Sequence, residues 1–343
     1  MRFKDCIKNN RTYIIAEMSA NHGGSLTKAL DIVHAAAKAG ADCLKIQTYT
    51  ADTITIDCDN DYFKLTTGLW KGYTRYDLYK QAYTPWEWQK QIKEECEKLG
   101  MDFLSTVFDD TSVDFLEELE VSAYKIASFE LVDIPLIRKV ASTGKTIFIS
   151  CGMGTEVEIE EAVQTIEEQG NHDYVLLKCT SEYPAVYEDM RISLIPVMKE
   201  KFGCIVGLSD HSLGYEADIM AVTLGAKVIE KHFCISRDDD SVDAAFSTNR
   251  EEFAELVEKV RLTEKMLGEP VFKLTPKEKG GRINRKSIFV VKDVKAGEII
   301  TSEHIKCIRP GHGLHTRYYD IVLGKKASRD LHRGEPLKED DYC

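Results

Sequence analysis

At 343 residues, 43% hydrophobic and 30% charged, the chain is long enough for one large globular domain and a small one. Its 57 acidic residues outnumber 45 basic ones, and a formal charge of −12 argues against nucleic acid or an anionic membrane as partner. No apolar run is long enough to span a bilayer, the N-terminal MRFKDCIKNNRTYIIAE lacks a signal-type apolar core, and ten scattered cysteines without C-x-x-C read as reduced thiols of a cytoplasmic protein.

The first strand is TYIIAE at 12–17, followed by MSANHGGS and a helix over roughly 26–39, with Leu26, Leu30, Val33 and Ala37 on one face and Gly40 as its stop. CLKIQ at 43–47 is the second strand. One grammar then recurs: a helix, a glycine, a short apolar run and a polar strand end. KLGMDFLST supplies strand three, VSAYKIAS strand four (without the glycine), and TGKTIFISCG strand five. HDYVLLKCTS, FGCIVGLSDH and LGAKVIEKHF supply strands six to eight. Helical patterns at 86–99, 111–119, 156–168 and 215–224 lie between them. Strands that alternate with helices predict a parallel sheet, and eight such units in roughly 250 residues predict a closed (β/α)8 TIM barrel. An open doubly wound sheet is the rival, but NHGG after strand one does not fit G-x-G-x-x-G.

In such a barrel the site lies at the C-terminal strand ends. Those ends carry Glu17, Lys45 and Gln47, Ser105 and Thr106, Lys125 and Ser128, Ser150, Lys178 and Ser181, Ser209 to His211, and Lys231 and His232. A cationic, hydroxyl-rich collection suits a phosphorylated or carboxylated substrate. Strand alternation sends about half of these side chains outward to the helix layer. His211 and His232, at corresponding ends of adjacent strands, are candidate ligands for a divalent metal. Asp210 reads as a group that orients a neighbour, and Glu230 as pointing opposite to Lys231 toward the helices. His22 reads either as a site histidine or as a loop or capping residue, and His312 and His315 as tail surface residues.

The connection from Tyr49 to about Thr84 is long for a compact barrel. Its Tyr62, Phe63, Trp70, Tyr73 and Tyr76 suit either a small core of its own or a wall over the site mouth. The β/α grammar ends at residue 267, and 268–285 reads as a polar linker. The segment 286–343 is a separate domain of short strands, with an internal repeat, KDVKAGEIITSEHI and RDLHRGEPLKEDDY, around two glycine turns.

IIAEMSANHGGSLTKAL, ADCLKIQT, YKIAS, LKCTSEYP, GLSDH and EKHF together resemble the sialic acid synthase family, and the tail resembles its antifreeze-like (SAF, β-clip) domain. KIQTYTADTITID and CTSEYP are similar to the pseudaminic acid branch of that family; the N-acetylneuraminate and legionaminic acid branches are the alternatives. The resemblance implies a transferase that joins phosphoenolpyruvate to an open-chain amino-sugar aldehyde, with Mn2+ or Mg2+ on His211 and His232 and Glu17 as the group that handles water. It also implies a phosphoenolpyruvate site of Lys45, Thr106, Lys125, Ser128, Ser150, Ser181 and Ser209. Gln47, Tyr183, Asp243 and Arg309 would touch the sugar, with Arg309 reaching the site of the partner subunit in a domain-swapped homodimer. Two other functions compete: a Schiff-base aldolase using one of Lys45, Lys125, Lys178 or Lys231, and a non-catalytic carbohydrate- or ice-binding protein.

Overall fold

A computed structural model describes residues 1–68, 70–238 and 241–343. The chain divides into two compact units, Met1–Gly268 and Glu269–Cys343. In the first, eight parallel strands close into a barrel in sequential order. They are β1 (Tyr13–Glu17), β2 (Cys43–Thr48), β3 (Asp102–Val107), β4 (Ala123–Ile126), β5 (Thr146–Ser150), β6 (Tyr174–Cys179), β7 (Ile205–Asp210) and β8 (Val228–His232). Helix α1 (Arg2–Lys8) precedes β1, and α2 (Leu26–Ala39) joins β1 to β2. Two short helices, α3 (Ala51–Ile54) and α4 (Arg75–Ala82), fall in the long connection, before α5 (Trp86–Lys98). The outer layer continues with α6 (Asp110–Glu118), α7 (Ile134–Ser142), α8 (Glu156–Glu168), α9 (Leu194–Phe202), α10 (Glu216–Thr223) and α11 (Arg250–Leu267).

The helices start where side-chain acceptors meet the free amides of a first turn. Ser25 caps α2, Asp109 caps α6, Thr155 caps α8 and Asn249 caps α11. After α6 there is no glycine, and Glu120 itself takes the left-handed conformation (φ 55°), at a cost of about 1 kcal/mol. That explains why the recurring glycine is missing before the fourth strand.

Period-2 alternation divides the strand residues into two cores. Ile14, Leu44, Ile46, Tyr124, Ile147, Leu176 and Ile229 face outward and pack against the helices. Tyr13, Ile15, Cys43, Leu104, Phe148, Val175, Leu177 and Val228 fill the lumen. The lower end is closed by α1, an element that the sequence pattern did not reveal. Phe3 reaches into the lumen, 5.3 Å from Tyr13 and 5.0 Å from Phe148 between ring centroids. Gly207 is needed for closeness: a Cβ there would lie 2.5 Å from the Val228 carbonyl and 2.7 Å from Leu177. With the lower lumen filled by apolar side chains, polar groups are concentrated at the C-terminal ends.

The second unit has its own core, including Ile288, Val290, Val294, Ile300, Ile305 and Leu331, around an antiparallel pair, β9 (Ser287–Val290) and β10 (Ile305–Ile308). The sequence repeat is a structural one. Val294 and Leu331 exchange backbone hydrogen bonds, and Asp293 and Asp330 each cap the other repeat's turn, at Arg333 N and Ala296 N. Gly297 and Gly334 occupy equivalent left-handed positions (φ 82° and 94°).

Candidate active site

The strands deliver alternate residues to the upper lumen, which is built around two carboxylates and two lysines. Lys45 Nζ lies 2.9 Å from Glu17 Oε2 and 3.5 Å from Glu230 Oε1, and Lys125 Nζ lies 3.5 Å from the same Glu230 oxygen. Lys45 also donates to Thr106 Oγ1 (3.0 Å), and Ser209 Oγ donates to Glu230 (3.1 Å). All four charged groups are buried. Burial raises the Glu17 carboxyl, and Lys45 only partly offsets it. Burial would also raise Glu230, but Lys125 and Lys45 outweigh it and hold that carboxyl below its ordinary value. Two carboxylates whose surroundings push them in opposite directions can divide proton-carrying and anionic roles.

Glu230 is therefore a lumen residue, and its expected orientation toward the helices is corrected. It lies two residues before His232, so alternation places both on one face. Lys231 faces outward: it pairs with Asp210, donates to the Ser212 carbonyl (2.9 Å), and lies 3.5 Å from Asp218 of α10. Lys178 also leaves the lumen, donating to the Cys179 carbonyl and the Thr180 hydroxyl. The lumen set thus holds two of the four strand-end lysines, balanced by two glutamates, so the expected cationic excess is cancelled. Asp210 accepts from Ser212 N (2.8 Å) and Ser212 Oγ (3.0 Å), which holds the loop beside His211.

Next to this cluster is a small oxygen-rich cradle. Gly152 N donates to Ser128 Oγ (3.0 Å), while the Ser150 hydroxyl is buried without a hydrogen-bond partner. A Cβ on Gly152 would come within 2.2 Å of Ser181 Oγ and 2.7 Å of Ser128 Oγ. Only glycine lets these hydroxyls and the backbone converge, in the manner of an anion-binding nest.

His211 and His232 stand with ring centroids 5.3 Å apart, flanked by Tyr183 at 4.4 Å from His211 and Phe246 at 5.0 Å from His232. His211 Nδ1 lies 2.9 Å from the Thr180 carbonyl, and a carbonyl only accepts, so Nδ1 carries a hydrogen and Nε2 is the nitrogen left to act as a ligand. Burial would lower this imidazole, but Cys179 and the Thr180 carbonyl outweigh it and raise it above its ordinary value. His232 Nδ1 is buried without a hydrogen-bond partner, and burial, with His211 and Lys45 nearby, pushes this imidazole well below its ordinary value. In their neutral forms these two imidazoles, one oriented through a backbone carbonyl, have the donor chemistry of a metal site. Among the described residues no third His, Cys, Asp or Glu joins them, so water or substrate oxygens would have to complete a coordination shell.

Gln47 donates to Glu17 Oε1 (2.8 Å) and to Ser19 Oγ (3.0 Å); Ser19 in turn donates to Asp243 Oδ2 (2.6 Å). Gln47, Tyr183 and Asp243 thus line one cavity, while Arg309 belongs to the C-terminal unit, in a basic hollow with Arg285, Lys286 and His315. His22 is structural: fully buried, it accepts from Gly24 N (3.1 Å) and meets Thr84 Oγ1 at 3.2 Å. His312 and His315 are exposed. The sequence reading missed Ser19 and Cys179, whose Sγ lies 3.8 Å from His211 Nδ1. Parity could have found Cys179, two residues after Leu177; Ser19 lies beyond the strand, where alternation carries no information. All ten cysteines are free thiols.

A closed parallel β/α barrel with a buried lysine–glutamate cluster at its C-terminal mouth has the architecture of a barrel enzyme. Residues 32–272 match the NeuB family and residues 285–342 the SAF domain. The chain is 44% identical to the pseudaminic acid synthase of Campylobacter jejuni subsp. jejuni serotype O:23/36 (strain 81-176) over 334 residues, covering 97% of each. It is 40% identical to that of Helicobacter pylori (strain ATCC 700392 / 26695), covering 96% of this chain and 97% of the relative. Among solved structures, the N-acetylneuraminic acid synthetase of Leptospira borgpetersenii serovar Hardjo-bovis, in complex with citrate, superimposes with a TM-score of 0.72 at 32% identity, covering 80% of this chain and 90% of that one. The chain belongs to the NeuB family.

Proposed function

We propose that this chain is a pseudaminic acid synthase. It condenses phosphoenolpyruvate with open-chain 2,4-diacetamido-2,4,6-trideoxy-β-L-altropyranose and water, giving a nine-carbon 2-keto acid and inorganic phosphate. The observation that carries the reading is 44% identity to a pseudaminic acid synthase along 97% of both chains. Relatives named as N,N'-diacetyllegionaminic acid synthases are 33–35% identical, which makes legionaminic or N-acetylneuraminic acid the secondary product class.

The reaction balances as follows. Carbon 3 of phosphoenolpyruvate bonds to the aldehyde carbon, and the aldehyde oxygen takes up a proton. The oxygen of water bonds to carbon 2, whose bond to the phosphate oxygen breaks. Of water's two protons, one balances the new hydroxyl and the other leaves on phosphate. Lys45, Lys125, Thr106 and the Ser128–Ser150–Ser181–Gly152 cradle hold the phosphate and carboxylate. Ser209 keeps Glu230 aimed at the two lysines. Glu17, raised by burial, accepts a proton from water; Gln47, which donates to it, fixes its direction. His211 and His232 would hold a divalent cation, Mn2+ in preference to Mg2+ because both protein ligands are imidazoles. When bound, such a cation supplies Lewis acidity at the aldehyde oxygen. Gln47, Tyr183 and Asp243 position the sugar. The reading includes a domain-swapped homodimer in which Arg309 completes the partner subunit's site.

Product mass spectrometry with the three candidate sugars in parallel tests this. The altrose derivative should give the nonulosonic acid fastest, with phosphate released only when sugar and phosphoenolpyruvate are both present. Activity that survives EDTA, together with borohydride trapping of a pyruvate adduct, would point to a Schiff-base lysine instead.

A further inference from the structure

His211 and His232 reach the site by different means. His232 is the last residue of β8, and the parallel ladder sets its direction, pairing it in register with Glu17. His211 lies one residue beyond β7, which ends at Asp210, so strand alternation no longer decides where its ring points. Other contacts have to hold it. The two strand-end lysines that leave the lumen, and that the reaction leaves unused, supply them from either side.

Lys231 on β8 is the register partner of Asp210 on β7. Its ammonium donates to the Asp210 carboxylate and to the Ser212 carbonyl (2.9 Å). Asp210 accepts in its turn from Ser212 N (2.8 Å) and Ser212 Oγ (3.0 Å). The residues immediately before and after His211 are thus tied together around one ammonium. The His211 carbonyl accepts from Ala185 N (3.0 Å), which fixes the same peptide from the side of β6. The ring is aimed by the Thr180 carbonyl, 2.9 Å from Nδ1. Lys178 secures the turn that carries this carbonyl: it donates to the Cys179 carbonyl (2.7 Å) and to Thr180 Oγ1 (3.3 Å).

Stability alone does not call for such an arrangement. Both lysines are buried, and apolar side chains of similar volume commonly serve the folded state as well as a buried ion pair does. What an ammonium adds is three donors on one atom, able to tie several acceptors at once. A ligating imidazole whose direction is set beforehand has less freedom to lose on binding, and partners that orient such a ligand are typically worth about 10–100-fold in metal affinity.

We infer that Lys178 and Lys231 are positioning residues for His211. Lys178 acts through the Thr180 carbonyl and Lys231 through Asp210 and Ser212, and together they keep the His211 ring beside that of His232 without touching substrate. The inference rests on the reading of the two histidines as metal ligands.

Mn2+ titration of the protein alone, followed by the electron paramagnetic resonance signal of the free ion, tests it. Lys178→Met and Lys231→Met should each raise the Kd for Mn2+ at least about tenfold. At saturating Mn2+ both should keep a KM for phosphoenolpyruvate within about twofold of wild type, well inside the tenfold expected of a lost binding contact. Phe3→Leu, at the closed lower end of the lumen, is the control: it should lower the unfolding midpoint and leave the Kd for Mn2+ unchanged. Lys178 makes no ion pair among the described residues, so Lys178→Met carries the test should Lys231→Met fail to fold. A wild-type Kd in folded Lys178→Met, or an equal loss of Mn2+ affinity in Phe3→Leu, overturns the inference while the ligand reading stands. A wild-type protein that binds no Mn2+ overturns the ligand reading and this inference with it.

Discussion

Lys231 and His232 are neighbours in sequence and face opposite sides of β8: His232 lines the cavity, and Lys231 is buried on the helix side against Asp210 and Asp218. The two should therefore fail differently. His232→Ala, like His211→Ala, should abolish metal-dependent turnover and weaken Mn2+ binding measured by titration of the protein alone, with the unfolding midpoint nearly unchanged. Lys231→Met leaves two buried carboxylates without their cation and should cost about 3–5 kcal/mol in urea unfolding. Wild-type turnover in either histidine variant would refute the ligand assignment.

Glu17 and Glu230 share Lys45 but sit on opposite sides of the ordinary carboxylate range. Glu17→Gln should lower kcat by about 10²–10⁴-fold with a modest change in the KM for phosphoenolpyruvate, as expected when a proton acceptor is lost. Glu230→Gln removes the anion between the lysines and should act first on that KM. The two parameters, measured side by side, separate the roles; equal effects of both variants on both would dissolve the division of labour.

Gly152→Ala drives a methyl group into the Ser128 and Ser181 hydroxyls. The KM for phosphoenolpyruvate should rise at least tenfold, on the order of a 1.4 kcal/mol loss of binding, while the KM for the sugar changes little. Competition by inorganic phosphate is an independent measure and should weaken in parallel.

Burial pushes the Glu130 carboxyl up to about 7, with Lys125 acting against it. Its folded value exceeds its unfolded one, so its contribution to stability is fully present at low pH and is lost as pH rises toward and through about 7. Glu130→Gln should accordingly raise Tm at pH 8 relative to wild type and leave it nearly unchanged at pH 4. An equal shift at both values would show that the carboxyl ionises as freely in the folded protein as in the unfolded chain.

Most of the barrel was legible in the sequence because its signals are local. Each strand is an apolar run that ends in polar residues, and helix caps and glycine stops bound the elements between. The five helices given ranges from the sequence end within a residue of those ranges, as Trp86–Lys98 and Glu156–Glu168 illustrate. Helix α1 escaped because a short polar N-terminal segment becomes a plug only once a lumen exists for Phe3 to fill. Glu230 was misplaced although the information was present: His232 fixes its parity.

The sequence alone determined the closed barrel, the tail with its paired turns, and the histidines and lysines at the strand ends. Periodicity of 2 and of 3.6, together with turn chemistry, is written into neighbouring residues. Tertiary structure decided which strand-end lysines enter the lumen, that Glu230 balances two of them, and that the long connection folds over the mouth. Those outcomes depend on strand register and barrel closure, which bring together residues as distant as Trp70 and Val242. No local pattern encodes that proximity, because it arises only when all eight strands have closed.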